Sequence, residues 1–308
     1  MYKTNFDFVV EKAKAVEKPQ RVAIAGADAE NILLGAFRAE AAGFVEPILV
    51  GDEGKITEML KNLSLLSRKY TIVDEKDYNK VVQVAIDLIK AGKADILMRG
   101  NTQTRDFLMP ILNKANHLVR KDALVTHVVL LKVPGYDRLL AVSDVTLLIN
   151  PTEDHRELVV KNMARTLHAF GIPKPNIALL AMVEKPSYHM RDTVEDQNMV
   201  RKHSHKPIAE CNLAGPIAYD LIISKEAARL KNYDCPYCGE FDGIVVPNLM
   251  SGNLLVKVLE HNAGAVGCGV LAGARIPVAI ASRSDNADKT YLSLAACGAM
   301  IVDGEVEK

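Results

Sequence analysis

Arg21-Val22-Ala23-Ile24-Ala25-Gly26 is an apolar run closed by a glycine, and the residues that follow it decide the fold. Ala29 to Ala42 repeats apolar residues at helical spacing through Ile32, Leu33, Ala36 and Ala39, and Gly43 ends that helix. Pro47-Ile48-Leu49-Val50-Gly51 is the next apolar run. The rhythm continues with a helix over Ile56 to Leu63, a strand at Tyr70-Thr71-Ile72-Val73 and a helix over Tyr78 to Ala91. Asp95-Ile96-Leu97-Met98-Arg99-Gly100 closes the series as a strand. Strands that are apolar throughout, rather than alternating, are covered on both faces. The reading is therefore an α/β fold with a mostly parallel sheet, helices on both sides and right-handed crossovers.

The pattern changes at Leu124. Leu124 to Lys132 and Arg138 to Ser143 read as two strands around the turn Pro134-Gly135-Tyr136-Asp137. An antiparallel hairpin inside a parallel series marks an expected seam between two domains. After Asp144 the α/β rhythm resumes, with helices at Glu153 to Phe170, Val194 to Lys202 and Leu254 to Ala263. Strands are expected at Ile177 to Met182, Ile208 to Asn212, Gly243 to Pro247, Gly269 to Leu271 and Val278 to Ala281.

Bulk composition narrows the function. With 308 residues, 49% hydrophobic and 25% charged, the chain can bury a core in about two domains. Lys+Arg and Asp+Glu are equal at 38 each, so no global field draws the protein to nucleic acid or membrane. Any phosphate must be met by local charge. Trp is absent and aromatics reach only 5%, which argues against a base-stacking surface. No apolar run approaches the roughly 18 residues of a spanning helix. The first residues lack the apolar core of a secretion signal. Five cysteines, an odd number, fit a reducing cytoplasm better than a disulfide framework.

Polar clusters fall where strands end and helices begin, the place where open α/β sheets bind ligands. Ser282-Arg283-Ser284-Asp285-Asn286-Ala287-Asp288 puts a hydroxyl, a guanidinium and two carboxylates before the terminal helix. A helix N-terminus favours an anion, and arginine suits forked recognition of phosphate. Three more clusters follow the same plan. One carries Arg99, Gly100, Asn101, Thr102 and Thr104, another Ser143 and Asp144, and the third Asn248, Ser251, Gly252 and Asn253. Each alone is explained by turn chemistry and an N-cap, with Ser282 or Asp285 capping the last helix. Four on one sheet edge favour a shared site. Cys235-Pro236-Tyr237-Cys238 stands apart: it is a redox spacing, half a zinc site, or two cysteines in a loop. No metal site is assigned, because one pair lacks the further ligands zinc needs.

Several segments carry a family resemblance in order: Glu46-Pro47-Ile48-Leu49-Val50-Gly51-Asp52, Leu97-Met98-Arg99-Gly100, Val133-Pro134-Gly135-Tyr136-Asp137-Arg138, Leu213-Ala214-Gly215-Pro216, Val246-Pro247-Asn248-Leu249-Met250-Ser251-Gly252-Asn253 and Ser282-Arg283-Ser284-Asp285. Together they resemble the phosphate acetyltransferase and phosphate butyryltransferase family over nearly the whole chain. The Pro-Gly-Tyr-Asp-Arg turn and compact length are more similar to the butyryl branch. The resemblance implies two α/β/α domains with an interdomain cleft, an architecture like that of isocitrate and isopropylmalate dehydrogenases. It also implies a homodimer, with coenzyme A as substrate and no tightly bound cofactor. The last helix is expected to return to the first domain, giving domains 1–140 with 282–308, and 141–281.

In such an enzyme a thiol attacks an acyl-phosphate carbonyl directly. A carboxylate base serves the thiol, a donor such as Ser282 or a backbone N–H serves the tetrahedral oxygen, and Arg283 holds the phosphate. The acetyl branch places its catalytic aspartate seven positions beyond the serine, which here is Lys289. Asp288, one residue earlier, is the candidate base and Asp285 the runner-up. The acetyl branch also has a basic residue where Met109 precedes Pro110, a charge that Arg99 or Arg105 would have to supply. Two other readings compete: a non-catalytic acyl-CoA sensor, and an oxidoreductase of the same architecture. The second lacks a G-x-G-x-x-G turn, since Ala25-Gly26-Ala27-Asp28-Ala29 stands there.

Overall fold

A computed structural model describes residues 5–281 and 285–302. Its described residues divide into a terminal unit, 6–125 with 268–302, and a central unit, 126–267 with residue 5. The expected divisions at 140 and 281 compare with 125 and 267 here. Pairing within the central sheet keeps the hairpin with the residues that follow it.

The terminal unit begins with α1 (Asp7–Lys14), β1 (Gln20–Ala25), α2 (Glu30–Ala41), β2 (Val45–Gly51) and α3 (Glu53–Asn62). It continues with β3 (Thr71–Asp74), α4 (Val81–Lys90), β4 (Ile96–Arg99) and α5 (Thr104–Leu112). The chain then passes through the central unit. There it forms β5 (Thr126–Lys132), β6 (Leu139–Ser143), α6 (Glu153–Ala169), β7 (Asn176–Leu180) and α7 (Arg191–His205). β8 (Asn212–Ile217), α8 (Tyr219–Ile223), α9 (Lys225–Leu230), β9 (Gly243–Val245) and α10 (Leu249–His261) follow. β10 (Val266–Ala272), β11 (Val278–Ala279) and α11 (Ala287–Val302) bring it back to the terminal unit.

Strands of the terminal unit run in the order β3-β2-β1-β4-β11-β10, parallel among the described residues except for β10 with β11. Successive crossovers move outward from β1 to β3, then back past β1 to β4. Right-handed connections therefore place α2 and α3 on one face and α4 on the other, and the reversal makes a switch point between β1 and β4. The terminal helix α11 packs against α1 and α2. Small residues make that contact: a Cβ on Gly35 would stand 2.4 Å from Thr290 Cβ, and one on Gly298 3.0 Å from Ala13 Cβ.

The central sheet runs β5-β6-β9-β7-β8, parallel except for the hairpin β5–β6, as the Pro134-Gly135 turn foretold. The Tyr136-Asp137-Arg138 segment anchors that hairpin. Tyr136 Oη donates to Phe241 O at 2.7 Å, and the buried Arg138 guanidinium donates twice to Asp242 Oδ1, at 2.7 and 3.0 Å. Burial lifts the Asp242 carboxyl above its ordinary range despite this partner. One expected strand moves. Residues 208–211 are bends, and the strand lies at Asn212–Ile217 on the sheet edge, where Pro216 and its missing N–H are tolerated. The short helices α8 and α9 were not expected from the sequence pattern.

Candidate functional site

At the switch point of the terminal unit, glycines bring two loops into backbone contact. Gly100 N–H donates to Ala25 O at 2.9 Å and Asn101 N–H to Gly26 O at 2.6 Å. A Cβ on Gly100 would fall 2.1 Å from Gly26 O, so only glycine fits. Arg99 is buried here. Its guanidinium donates to Thr102 O at 2.7 and 3.1 Å and reaches Ala281 O at 3.5 Å. Arg99 thus braces the residue that immediately precedes Ser282. Thr102 is buried with Oγ1 unpartnered among the described residues, Thr104 is half-buried, and Asn101 is exposed. Met109 is 57% exposed and lines a groove of about 450 Å³ with Gln83, Pro110, Leu112 and Asn113. An apolar side chain therefore stands where a basic one was looked for.

Ser282 and Arg283 lie outside the described residues; the two aspartates beyond them do not, and their surroundings differ. Asp285 has a side chain only 5% exposed, 3.1 Å from Lys289 Nζ, and its backbone carbonyl accepts from Asn31 Nδ2 at 2.7 Å. Asp288 is 58% exposed and pairs with Arg38 of α2, whose guanidinium also lies 4.3 Å from the Tyr291 ring centroid. Capping, expected of Ser282 or Asp285, is done by Asn286, whose Oδ1 accepts from Lys289 N–H at 3.0 Å. Lys289 stands where the resemblance to the acetyl branch led us to expect an aspartate, and its ion pair with Asp285, one helical turn back, was not anticipated.

In the central unit, Ser143–Asp144 and Asn248–Asn253 meet at the carboxyl ends of β6 and β9. The strands pair through Ser143 and Val245, and Val246 N–H donates to Ser143 O at 2.9 Å. Asp144 is buried and organises its own loop. Oδ1 accepts from the N–H groups of Thr146, Leu147 and Leu148 at 2.9, 2.6 and 3.0 Å, and Oδ2 accepts from His127 N–H at 2.7 Å. Ser143 Oγ is enclosed with no partner among the described residues. Asn248 caps α10, accepting from Ser251 N–H and Oγ at 3.0 Å each, and Asn253 Nδ2 reaches Val145 O at 3.4 Å. A Cβ on Gly252 would lie 2.6 Å from Asp144 O, so glycine lets α10 sit on the Asp144 loop. His127 and Thr146 complete this cluster, with Nδ1 and Oγ1 2.7 Å apart. They lie 17 and 2 residues from Asp144 and carry no motif of their own.

Residues 78–297 match the family model described as phosphate acetyl/butaryl transferase. A phosphate butyryltransferase from Clostridium beijerinckii is 33% identical over 291 residues, 94% of this chain and 96% of its own length. A branched-chain phosphotransacylase from Enterococcus faecalis V583 superposes with a TM-score of 0.79 at 27% identity, covering 92% of this chain and 99% of that one. A 4-hydroxythreonine-4-phosphate dehydrogenase from Burkholderia phymatum reaches a TM-score of 0.54 at 14% identity over 92% of this chain and 99% of its own. That likeness is one of fold alone, and it agrees with the dehydrogenase-like architecture expected above.

Proposed function

The chain belongs to the phosphate acetyl/butyryl transferase family and is a phosphate acyltransferase, and from that premise we propose that it moves a short acyl group of butyryl size between coenzyme A and inorganic phosphate. The observation that carries this reading is the family match over 78–297, which takes in all four polar clusters. The reaction is acyl-CoA + phosphate = acyl phosphate + CoA. In the direction of CoA acylation, the thiol sulfur attacks the acyl-phosphate carbonyl, the tetrahedral intermediate collapses, and phosphate leaves with the C–O bond's electron pair. The thiol proton passes to a carboxylate base as the C–S bond forms. No covalent enzyme intermediate is invoked.

We assign that base to Asp285 in preference to Asp288. The Asp285 carboxylate is enclosed, where a bound thiol can replace water, and Lys289 holds it in place. Asp288 is exposed and engaged with Arg38 on the flank of α2. Arg283 is assigned to the phosphate and Ser282 to the tetrahedral oxygen on the strength of the sequence motif. Arg99 serves them by bracing Ala281. Asn101, Thr102 and Thr104, with the Ser143–Asp144 and Asn248–Asn253 clusters, are assigned to substrate binding. We take the protein to act in the cytoplasm as a homodimer, with no tightly bound cofactor. The sensor and oxidoreductase readings are not favoured. Gly26 serves the loop contact with Asn101 rather than opening a dinucleotide turn.

An acyl-CoA series tests the acyl assignment. Thiol release from acetyl-, propionyl-, butyryl- and benzoyl-CoA with phosphate should peak at butyryl-CoA. Each methylene of a fitted pocket is worth about 1–3 kcal/mol, or roughly ten- to a hundredfold in kcat/KM. Equal or better turnover of acetyl-CoA would replace the butyryl assignment with an acetyl one.

A further inference from the structure

Cys235 and Cys238 take no part in acyl transfer as described above, yet the central unit holds them with unusual care. Each end of their loop is tied to α8 and α9. Tyr233 N–H donates to Ala228 O at 2.9 Å, and Gly239 N–H reaches both Leu221 O and Ile222 O at 3.2 Å. Within it, Cys238 N–H donates to Cys235 O at 3.3 Å, closing the turn that carries both thiols. Gly239 sits at φ +71°, and a Cβ there would fall 2.7 Å from Lys225 Cγ. The turn is therefore fixed from outside as well as from within.

The two sulfurs differ in access. Cys238 is 4% exposed, and burial pushes its thiol up to about 12. Cys235 is half-buried and packs with Tyr233 and Tyr237 at the edge of the core. Glu184 and Asp220 stand nearby, both held by Lys231 Nζ, at 3.0 and 2.9 Å. Among the described residues, no group of three or more His, Cys, Asp or Glu side chains could hold a metal ion. An outer thiol, an inner thiol three residues on in the same hydrogen-bonded turn, and anchors at both ends of that turn are the parts of a two-step disulfide exchange.

We propose that Cys235 and Cys238 form a redox site that is oxidised to an intramolecular disulfide by low-molecular-weight disulfides. Cys235 sulfur attacks one sulfur of the small disulfide; an S–S bond forms to the protein, and the first small thiol leaves with the Cys235 proton. Cys238 sulfur then attacks Cys235 sulfur, the mixed S–S bond breaks, and the second small thiol leaves with the Cys238 proton. One dithiol and one disulfide become one protein disulfide and two thiols, with the protein oxidised by two electrons and the small molecule reduced by two.

The test uses the full folded chain, purified reduced, and two oxidants in parallel. One is neutral hydroxyethyl disulfide; the other is coenzyme A disulfide, the oxidised form of the thiol this family handles. After quenching with an alkylating agent, the peptide containing both cysteines should lose two hydrogens and take up no label, while Cys211, Cys268 and Cys297 keep theirs. Reaction in the first arm only would mean that the acidic loop admits small neutral disulfides alone; reaction in both extends the site to coenzyme A disulfide. Cys238→Ser should trap the mixed disulfide on Cys235, and Cys235→Ser should leave Cys238 unreacted. A circular dichroism melt of each variant separates lost reactivity from lost fold. If the wild-type chain keeps both thiols alkylatable in both arms, or stops at the mixed disulfide, the proposal fails. Zinc bound stoichiometrically to the purified chain and released on Cys235→Ser would also overturn it.

Discussion

At the scale of single residues, backbone proximity makes the sharpest distinctions. Gly100 and Gly54 look alike in sequence, but their surroundings differ. A Cβ on Gly100 meets backbone at 2.1 Å, whereas one on Gly54, in the first turn of α3, meets only Asp52 Oδ1 at 3.2 Å. Gly100→Ala should cost about 1–3 kcal/mol or more, because β1 and β4 would have to part. Gly54→Ala should be neutral or stabilising, since alanine is favoured in helices by about 1 kcal/mol. Urea midpoints for the two variants check this, and equal losses would contradict it. Asp285 and Asp288 form a second pair. Asp285→Asn should lower kcat by about a hundredfold or more while leaving CoA affinity near wild type. Asp288→Asn removes an exposed ion pair worth about 0.2–1 kcal/mol and should leave kcat within a few-fold. The opposite ranking would return the base to Asp288. Arg283→Ala should lose most turnover, and Arg283→Lys should recover only part of it, because the forked geometry is gone; wild-type kinetics in Arg283→Ala would remove that residue from the site.

At the scale of elements, α6 and α7 are joined by a buried charge cluster. Arg156 is paired with Asp196, which is fully buried, and donates to Glu195 Oε2 at 3.0 Å. Burial pushes the Asp196 carboxyl up to about 7, against the pull of Arg156. Unfolded, the same group loses its proton near pH 4. Between about pH 4 and 7 the folded chain therefore binds more protons. Its contribution to stability is full at the acid end and lost as pH rises through that window. Asp196→Asn, fixed in the neutral form, should lack this slope. Thermal midpoints measured from pH 4 to 8 should fall for wild type relative to the variant up to about pH 7 and run level above it. Parallel curves would show that Asp196 is ionised throughout. The strands and most helices were legible because apolar runs and 3.6-residue periodicity are local signals. β8 was misplaced by a few residues because an edge strand with a proline resembles a loop. The cluster at α6 and α7 was not legible at all, since its partners lie about 40 residues apart.

At the scale of the whole molecule, the α/β class, the parallel order and the hairpin could be read from sequence. So could the placement of polar clusters at strand ends, because a strand stop and a helix start are written side by side. Which carboxylates are engaged, and with what, could not. Asp144 gathers three backbone N–H donors from its own loop and a fourth from His127 of β5, 17 residues away, and Asp288 meets Arg38 across 250 residues; neither long-range engagement leaves a local trace. The capping expected at the start of α11 moved to Asn286 for the same reason that Asp285 became enclosed: Lys289 and Asn31 hold the 285 position inward. The central claim is acyl transfer between coenzyme A and phosphate, and one measurement reaches it directly. Butyryl-CoA is incubated with the purified full-length chain, with and without inorganic phosphate; free thiol is followed continuously, and acyl phosphate is trapped as its hydroxamate. The predicted result is thiol release that requires phosphate and matches the hydroxamate mole for mole. Thiol release without phosphate, or tight coenzyme A binding with no turnover of any short acyl-CoA, would contradict it.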